Sequence, residues 1–213
     1  MLSADQTSID IKKLDRIFPN HPGVDKTKLI MTNVALYSVS KVQAASKLVH
    51  LIKKYMNSSK ITVTDATSNV GSDTIMLGKH FKTVNGIELS DEQFPVLKHN
   101  VDLYKLDSIT LHHGDSLNII PTLQQDVIYI DAPWTGPDYK NHASMRLYMS
   151  GKELVEVYNE YSKYCKLMIF KVPKNYDFNM FIQLSSMHKT TIHAYMNYSN
   201  EIKFYFIVCF PII

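Results

Sequence analysis

Acidic residues stand at the ends of several predicted strands of this chain, which is where α/β proteins hold their ligands. Asp65 ends one apolar run, Glu88 ends the next, and Asp115 follows a third within the sequence His-Gly-Asp. A carboxylate in such a place can accept hydrogen bonds from an ammonium, a ribose hydroxyl or an adenine amino group. Glu88 lies 23 residues after Asp65, close to the ~20 residues expected before a ribose-binding carboxylate. The three acids predict a site for a ligand that contains adenosine.

The loop that follows Asp65 narrows the choice of ligand. It reads Asp65-Ala-Thr-Ser-Asn-Val-Gly71 and holds a single glycine, whereas a dinucleotide fold needs G-x-G-x-x-G to approach a pyrophosphate. NAD and FAD therefore fit poorly. S-adenosylmethionine has a carboxylate and an amine but no phosphate, so its carboxylate can meet the start of the next helix and its ammonium can meet Asp65. The candidate cofactor-binding residues are Asp65, Thr67, Ser68, Gly71, Glu88, Asp115 and Ser116.

A second group of candidate residues follows a later apolar strand. The sequence Asp131-Ala-Pro-Trp-Thr-Gly-Pro-Asp-Tyr139 places an acid, a proline and an aromatic ring together. The acid can accept one N–H bond of a planar exocyclic amine, a backbone carbonyl can accept the other, and the ring can stack on the base. Because such an amine is a very weak acid, the enzyme can supply alignment with the methyl donor rather than prior deprotonation. We predict that Asp131, Pro133 and Trp134 are catalytic residues of an amino-methylating enzyme.

The elements that must position these residues alternate between strands and helices. Predicted strands cover residues 61–65, 83–89, 108–112, 126–131, 166–172, 190–196 and 202–210. Predicted helices cover residues 74–81, 90–104, 150–164 and 178–187, and a further helix begins at residue 40. This alternation requires a mostly parallel sheet with helices on both faces, and the short connection before the last strand makes that strand antiparallel. We predict an α/β protein with the seven-stranded, Rossmann-like sheet of class I methyltransferases.

The first part of the chain lacks this regular pattern. Pro19, Pro22 and Gly23 interrupt a short apolar pattern, so we predict that residues 1–37 form an irregular arm or lid packed on a methyltransferase domain of residues 38–213. Sequences of the form Ser-x-x-Glu/Gln predict capping boxes at the starts of helices. These sequences begin at Ser40, Ser90 and Ser150.

The composition fits a folded protein that needs no disulfides. The chain has 213 residues, of which 45% are hydrophobic, so one ordinary domain can bury a sufficient core. The formal charge of +3 is too small to indicate nucleic-acid binding by itself. The two cysteines, Cys165 and Cys209, have no metal-ligand spacing, and we expect no bound metal. No signal peptide or membrane-length apolar run is present, so we expect a soluble monomer inside the cell, in cytoplasm or nucleus.

Both motifs resemble those of a known family, the RNA cap guanine-N2 methyltransferases or trimethylguanosine synthases, and the likeness extends over residues 36–175. The family's cofactor loop, D-A-F-C-G-V-G-G-N-T-I, is matched at Asp65, Ala66, Val70, Gly71, Thr74 and Ile75. Its S-P-P-W-G-G-P-x-Y is matched at Pro133, Trp134, Gly136, Pro137 and Tyr139. Shorter matches include Arg146, Met149-Ser150 and Val172-Pro-Lys-Asn175.

The resemblance implies a capped RNA substrate and S-adenosylmethionine as cofactor. Trp134 would stack on the cationic 7-methylguanine of the cap, which adds a cation–π contribution of ~1–2 kcal/mol. Arg146 and Lys174 would meet the cap phosphates or neighbouring groups, and Tyr139 and Asn175 complete the implied substrate-binding set. The compact chain, together with a lysine-rich composition typical of an AT-rich genome, suggests a viral or microbial enzyme; a viral enzyme would act in the host cytoplasm.

Three departures from the family pattern keep alternatives open. Asp131 stands where the family has Ser, Ala132 replaces the first Pro, and Lys174 replaces an Arg, which loses bidentate geometry. An acid at the first position is typical of the D-P-P-Y motif of adenine-N6 and cytosine-N4 methyltransferases, so such an activity is the first alternative. The second is a catalytically idle subunit that binds only cap or cofactor.

Overall fold

The computed structural model describes residues 10–184 and 189–211, with helices and strands in the alternation that the sequence predicts. The α-helices are α1 (Ile11–Ile17), α2 (Ala35–Ser38), α3 (Val42–Met56), α4 (Ser72–Gly78), α5 (Gln93–Tyr104), α6 (Ser116–Ile119), α7 (Leu154–Tyr161) and α8 (Phe178–Leu184). The strands are β1 (Thr62–Asp65), β2 (Thr83–Glu88), β3 (Ile109–His113), β4 (Val127–Ile130), β5 (Tyr148–Met149), β6 (Lys152–Glu153), β7 (Leu167–Pro173), β8 (Lys189–Met196) and β9 (Ile202–Phe210). Short 3-10 turns lie at Lys26–Lys28, Ile120–Thr122, Pro137–Asn141 and Ser162–Tyr164.

Seven of these strands form one sheet in the order β3-β2-β1-β4-β7-β9-β8. Strand β2 pairs in parallel with β1 and with β3, and β4 pairs in parallel with β7. The last strand, β9, runs antiparallel to both β7 and β8. This topology confirms the predicted class I methyltransferase fold, a mostly parallel sheet with an antiparallel last strand. The reversed strand is inserted between β7 and β8 rather than added at the edge.

The chain divides into two compact units, one ending at Ser116 and the other beginning at Leu117. In the first unit the parallel register aligns the carboxyl ends of β1, β2 and β3, because Asp65 lies opposite Gly86 and Glu88 lies opposite His113. In the second unit every residue of β4 and of β7 is buried. Continuously buried strands are expected when both faces of a parallel sheet are covered.

The segment before α3 is more ordered than the sequence pattern indicated. Its apolar residues form helix α1 where an irregular chain was predicted, because the Asp10 side chain caps the helix by accepting from Lys12 N at 3.0 Å. Phe18, fully buried, belongs to the same hydrophobic cluster as Val70 and Leu97. The proposed division into an arm of residues 1–37 and a domain of residues 38–213 remains a prediction, and residues 1–9 lie outside the described part.

Two of the three predicted capping boxes are wrong, and the third is half present. The N-cap residue of α3 is Lys41, which makes no side-chain cap hydrogen bond, and Ser40 Oγ donates to Asp73 at 2.6 Å. Ser90 does accept from Gln93 N at 3.2 Å. Helix α7 begins at Leu154, and its capping box is made by Glu153 and Glu156 rather than by Ser150.

Two further elements of the second unit bear on the predictions. The sequence did not predict the β5–β6 ribbon, which is a two-stranded antiparallel pair. The predicted helix over residues 178–187 is α8, which is described as far as Leu184, and residues 185–188 lie outside the described part.

Candidate active site

Asp65 ends β1 with a side chain that is fully buried. One of its carboxylate oxygens accepts from the Thr67 backbone N–H at 3.2 Å, and the other accepts from Thr74 Oγ at 2.6 Å. These donors belong to the loop after β1 and to helix α4, so the acid holds the turn that connects strand to helix. A buried carboxylate is tolerated because it is hydrogen-bonded.

The turn itself is built from Ser68 and Gly71. Ser68 N donates to the Ile87 carbonyl on β2 at 2.9 Å, and Gly71 N donates to the Ser68 carbonyl at 2.8 Å. Gly71 has φ +98°, which favours glycine, and a Cβ at this position would approach Leu97 Cδ1 to 3.0 Å. A single glycine is therefore required here for both conformation and space.

Glu88 ends β2 with its carboxylate fixed by backbone donors. One oxygen accepts from Asn69 N at 2.7 Å and the other from Ser90 N at 2.9 Å. Each oxygen of a carboxylate has room for a second donor. The carboxylate is thus oriented by the protein and can still accept from the hydroxyl groups of a ligand.

The third strand brings Asp115 and Ser116 to the same end of the sheet. Gly114 N donates to the Glu88 carbonyl at 3.0 Å, which fixes the turn after β3 against the end of β2. Ser116 is buried and donates to the Ala66 carbonyl, while Asp115 is half-buried. All seven predicted cofactor-binding residues therefore lie in one unit, in three adjoining loops.

An apolar surface next to these acids escaped the sequence analysis. Leu89 directly follows Glu88 and is 60% exposed, which is unusual for a large aliphatic side chain. Nearby on the chain, the rings of Phe94 and His113 are stacked at 4.5 Å between centroids. The signal in the sequence was an apolar residue placed just beyond a strand-ending acid.

Asp131 follows β4 in the second unit and forms an ion pair with Lys171 of β7. The distance from Lys171 Nζ to Asp131 Oδ2 is 2.6 Å, and the two side chains are only 6% and 16% exposed. Because both strands are buried and parallel, their carboxyl ends lie side by side and bring the two charges together. Lys171 was missed from the sequence, where it reads as one polar residue in an apolar strand.

Trp134 lies half-buried in the loop after Asp131. Its ring meets the ring of Tyr139 edge-on, with 5.1 Å between centroids, and Phe204 lies at 6.4 Å. The Trp134 Nε1–H has no hydrogen-bond partner among residues 10–184 and 189–211. Thr135 and Gly136, with φ +63° and φ +81°, reverse the chain directly after the ring.

Asn175 braces the loop that carries Tyr139. Its Nδ2 donates to the Tyr139 carbonyl at 2.8 Å and to the His142 carbonyl at 2.7 Å. Its Oδ1 is buried, and within the described part of the chain no protein group bonds to it. The structure thus connects Asp131, Trp134, Tyr139 and Asn175, whereas Pro133, Arg146 and Lys174 are exposed around them.

Other residues with reactive side chains are remote from this chemistry. Burial raises the pKa of the Cys165 and Cys209 thiols to about 12, so neither is a thiolate near neutral pH. A group of three or more His, Cys, Asp or Glu side chains able to hold a metal is absent from the part that the structure describes. In the same residues, none of the helices has the length and apolar composition needed to cross a membrane.

The residues of the first unit fit S-adenosylmethionine. Asp65 and Glu88 are carboxylates oriented by neutral donors, and Asp115 lies beside them. Leu89 offers an exposed apolar surface next to Glu88 that a purine ring can cover. This set of acceptors and apolar surface, without a second glycine in the loop, suits a ligand with an amine and an adenosine but no pyrophosphate.

Comparisons with solved structures agree with this class of protein. A putative methyltransferase from Porphyromonas gingivalis W83 has a TM-score of 0.66 at 19% identity, with the match covering 87% of this chain and 44% of that chain. An O-methyltransferase from Bacillus cereus, solved in complex with SAH, has a TM-score of 0.58 at 16% identity over 84% of this chain and 85% of its own. These likenesses show the fold, that of the class I S-adenosylmethionine-dependent methyltransferases.

Sequence comparisons give the family. The sequence model of the RNA cap guanine-N2 methyltransferases matches residues 60–210, which is more than half of the chain. The chain belongs to this family and is an S-adenosylmethionine-dependent methyltransferase. The uncharacterized protein L320 of Acanthamoeba polyphaga mimivirus is 30% identical over 185 residues, covering 84% of this chain and 72% of L320. An uncharacterized RNA methyltransferase of Listeria monocytogenes is 28% identical over 111 residues, which is 24% of its length.

Proposed function

We propose that this protein transfers a methyl group from S-adenosylmethionine to the exocyclic N2 amine of the 7-methylguanosine cap of RNA. The observation that carries the proposal is the half-buried ring of Trp134 in the loop that begins at the carboxylate Asp131. A stacking surface and an amine acceptor are thus held in one loop, in a chain of the cap guanine-N2 family.

Two polar groups around this ring support a purine as the substrate. The Trp134 Nε1–H can donate and the Asn175 Oδ1 can accept, and neither has a protein partner within the described residues. A buried polar atom that lacks a partner costs about 1–3 kcal/mol, so a ligand that satisfies both gains affinity. Guanine N1–H can donate to Asn175 Oδ1, whereas the Trp134 Nε1–H lies in the plane of the indole and can donate to a group beyond the ring edge, such as the ribose or phosphate attached to a stacked base.

In this proposal Asp131 orients the amine rather than deprotonating it. Its carboxylate accepts one N–H bond, the backbone carbonyl at Pro133 accepts the other, and Trp134 holds the base plane. The bound cofactor supplies an electrophilic sulfonium methyl. Correct alignment of two reactants can account for several kcal/mol of the barrier, up to ~7–11 kcal/mol in intramolecular models. After transfer the amine nitrogen carries a positive charge and is strongly acidic, so its proton passes to the Asp131 carboxylate and from there to water.

The first unit binds the cofactor. Asp65 receives the ammonium, Glu88 accepts from the ribose hydroxyls, and Asp115 accepts from the adenine amino group. Thr67, Ser68, Gly71 and Ser116 form the turns around them. The hydrogen bonds of Asp65 to Thr67 and Thr74 keep its carboxylate oriented before the cofactor arrives.

Basic residues around the base site are suited to the phosphates of the cap. Arg146 and Lys174 are exposed, and Lys140 lies over the Tyr139 ring with 5.7 Å to its centroid. Lysine contacts phosphate as a point charge, so these contacts would add affinity without fixing one geometry.

The carboxylate at Asp131 favours a second candidate, methylation of adenine N6 or cytosine N4 in nucleic acid. Its ion pair with Lys171 keeps an ionised acceptor where the cap family has a hydroxyl. A subunit that binds cap or cofactor without catalysis is a third possibility, and the assay below separates all three.

A single assay tests the proposal. Labelled S-adenosylmethionine is offered with 7-methylated capped RNA, with unmethylated capped RNA and with adenine-containing single-stranded DNA. We expect label on the 7-methylated cap at guanine N2, identified after nuclease digestion. Label on adenine instead would overturn the proposal in favour of the second candidate. Cofactor binding without label on any substrate would favour the idle subunit.

A further inference from the structure

Lys171 is a buried cation that stands between the two features of the proposed base site. Its Nζ lies 2.6 Å from Asp131 Oδ2, 5.3 Å from the centroid of the Trp134 ring and 5.2 Å from that of Phe204. Its side chain is 6% exposed. The ammonium therefore contacts both the acid and the ring that the proposed function assigns to the base.

The apolar surroundings of Lys171 indicate that a lysine at this position contributes little to the stability of the fold. Lys171 is one of seven consecutive buried residues of β7, and it lies opposite Phe206 of β9. Replacing a buried ion pair with apolar residues is often neutral or stabilising, because desolvation offsets the attraction. A charge kept in such a place is better explained by what it does to a ligand.

We infer that Lys171 is a specificity-determining residue, which limits how strongly the site prefers a cationic purine over a neutral one. The inference rests on the proposed function. Asp131 attracts a positive charge, and so does the face of the Trp134 ring. Lys171 cancels the charge of the acid and already occupies one cation position over the ring.

The other charges near this site act more weakly. Lys140 and Lys174 are exposed, and so is Glu201, which faces Lys174. Exposed charges are screened by water and salt over about 8 Å at physiological ionic strength. Tyr195 is stacked on Phe204 at 4.5 Å and faces Lys171; burial raises its pKa further above the usual value, so it carries no charge near pH 7. The electrostatic potential at the Trp134 ring therefore depends mainly on the charges of Asp131 and Lys171.

The measurement compares 7-methyl-GTP with GTP. Both carry the same triphosphate, so their ratio of dissociation constants reports the effect of the N7 methyl group, and a change of that ratio between variants reports the effect of the charge at residue 171. Lys171→Met removes the cation that competes with a cationic base for Asp131 and for the face of the Trp134 ring. We therefore expect the preference for 7-methyl-GTP over GTP to rise by about tenfold. Trp134 is the only tryptophan, so its fluorescence reports binding at this position, and calorimetry provides a check independent of the ring. An unchanged ratio in folded Lys171→Met would overturn the inference.

The chain offers a matched control at the opposite ends of the same two strands. Lys166 pairs with Asp126 at 2.8 Å, with the lysine 62% exposed. Lys166→Met removes the same charge and the same kind of pair, and we expect the ratio to stay at the wild-type value. Lys171→Arg keeps the positive charge, although the guanidinium has a different shape, and we expect no rise in the ratio comparable with that of Lys171→Met. A rise in either variant equal to that of Lys171→Met would contradict the assignment.

A second pair of variants keeps the test valid if Lys171→Met does not fold. Asp131→Asn removes the negative charge but keeps the cation beside the ring, and its preference for 7-methyl-GTP should fall about tenfold below wild type. Adding Lys171→Met to that variant removes the cation and should restore the preference. If the double variant did not regain the preference for 7-methyl-GTP over GTP, the inference would be overturned. If the wild type binds neither nucleotide, the proposed function itself is wrong and the inference falls with it.

Discussion

Asp65 and Asp131 both stand at the carboxyl ends of buried parallel strands, but the chain holds them in different ways. Asp65 is fully buried and is held by Thr67 and Thr74, which are two and nine residues away in sequence. Asp131 is 16% exposed and is held by Lys171, forty residues away. The first acid is fixed by its own loop and helix, and the second by a charge from another strand.

This difference concerns two groups of residues, a cofactor half in the first unit and a base half in the second. In the cofactor half, donors from the adjoining loop and helix hold Asp65, whereas Asn69 N reaches Glu88 from another loop and Ser116 donates to the Ala66 carbonyl. The base half depends on long-range partners, namely Lys171 and Phe204 around Trp134. A substitution at Lys171 can therefore change the charge that surrounds Asp131, although the sequence of the loop that follows Asp131 stays the same.

The largest expected effect belongs to the base half. Asp131→Ala removes the amine acceptor, and we expect kcat to fall by about 100-fold, because misplacement of about 1 Å has that effect on an aligned reaction. Cap binding should change far less, since orientation matters most in the transition state. Steady-state kinetics with 7-methylated capped RNA separates the two quantities.

The matched variants for this test are Asp131→Ser and Asp138→Ala. Asp131→Ser should retain measurable activity, since a Ser stands at this position in the family that the chain resembles. Asp138 is an exposed acid of the same loop, and its removal should leave kcat unchanged. If the Ser variant were as inactive as the Ala variant, the guanine-N2 assignment would weaken and the adenine assignment would gain.

The next effect belongs to the cofactor half. Glu88→Ala removes an acceptor that is oriented by Asn69 N and Ser90 N, and affinity for S-adenosylmethionine should fall by ~1.5–3 kcal/mol because charge-assisted hydrogen bonds are lost. Calorimetry on the folded variant measures this directly. Glu92→Ala, at an exposed acid four residues on, serves as the control. Wild-type affinity in the Glu88 variant would remove this residue from the site.

The smallest effect concerns the ring itself. The wild type should bind 7-methylated cap analogue at least about tenfold more tightly than unmethylated analogue, a difference of ~1.4 kcal/mol. Trp134→Ala should abolish most of this preference, whereas Trp134→Phe should keep part of it because Phe offers a weaker π face. Calorimetry compares the variants, and Tyr198→Ala, at a ring that is 96% exposed, controls for loss of a surface aromatic residue. Equal binding of both analogues by the wild type would refute the cap assignment.

Most of the fold was predictable because it depends on local patterns. The apolar runs that became β1, β2, β4 and β9 were predicted to within two residues at each end. Helix starts were less predictable, since the N-cap residues of α3 and α7 are Lys41 and Glu153 rather than Ser40 and Ser150. In the folded chain Ser40 bonds to Asp73, thirty-three residues later, and sequence spacing gives no information about such a partner.

The candidate functional residues show the same contrast between what local sequence predicts and what depends on distant partners. The sequence alone determined the acids at strand ends, the single-glycine loop and the position of Trp134, because each is a residue type at a fixed place relative to an element. Only the tertiary structure showed that Lys171 pairs with Asp131 and lies over Trp134. The physical reason is that parallel strands bring together residues far apart along the chain. The role of a lysine within an apolar strand can be assigned only when the structure shows a carboxylate at the end of the neighbouring strand.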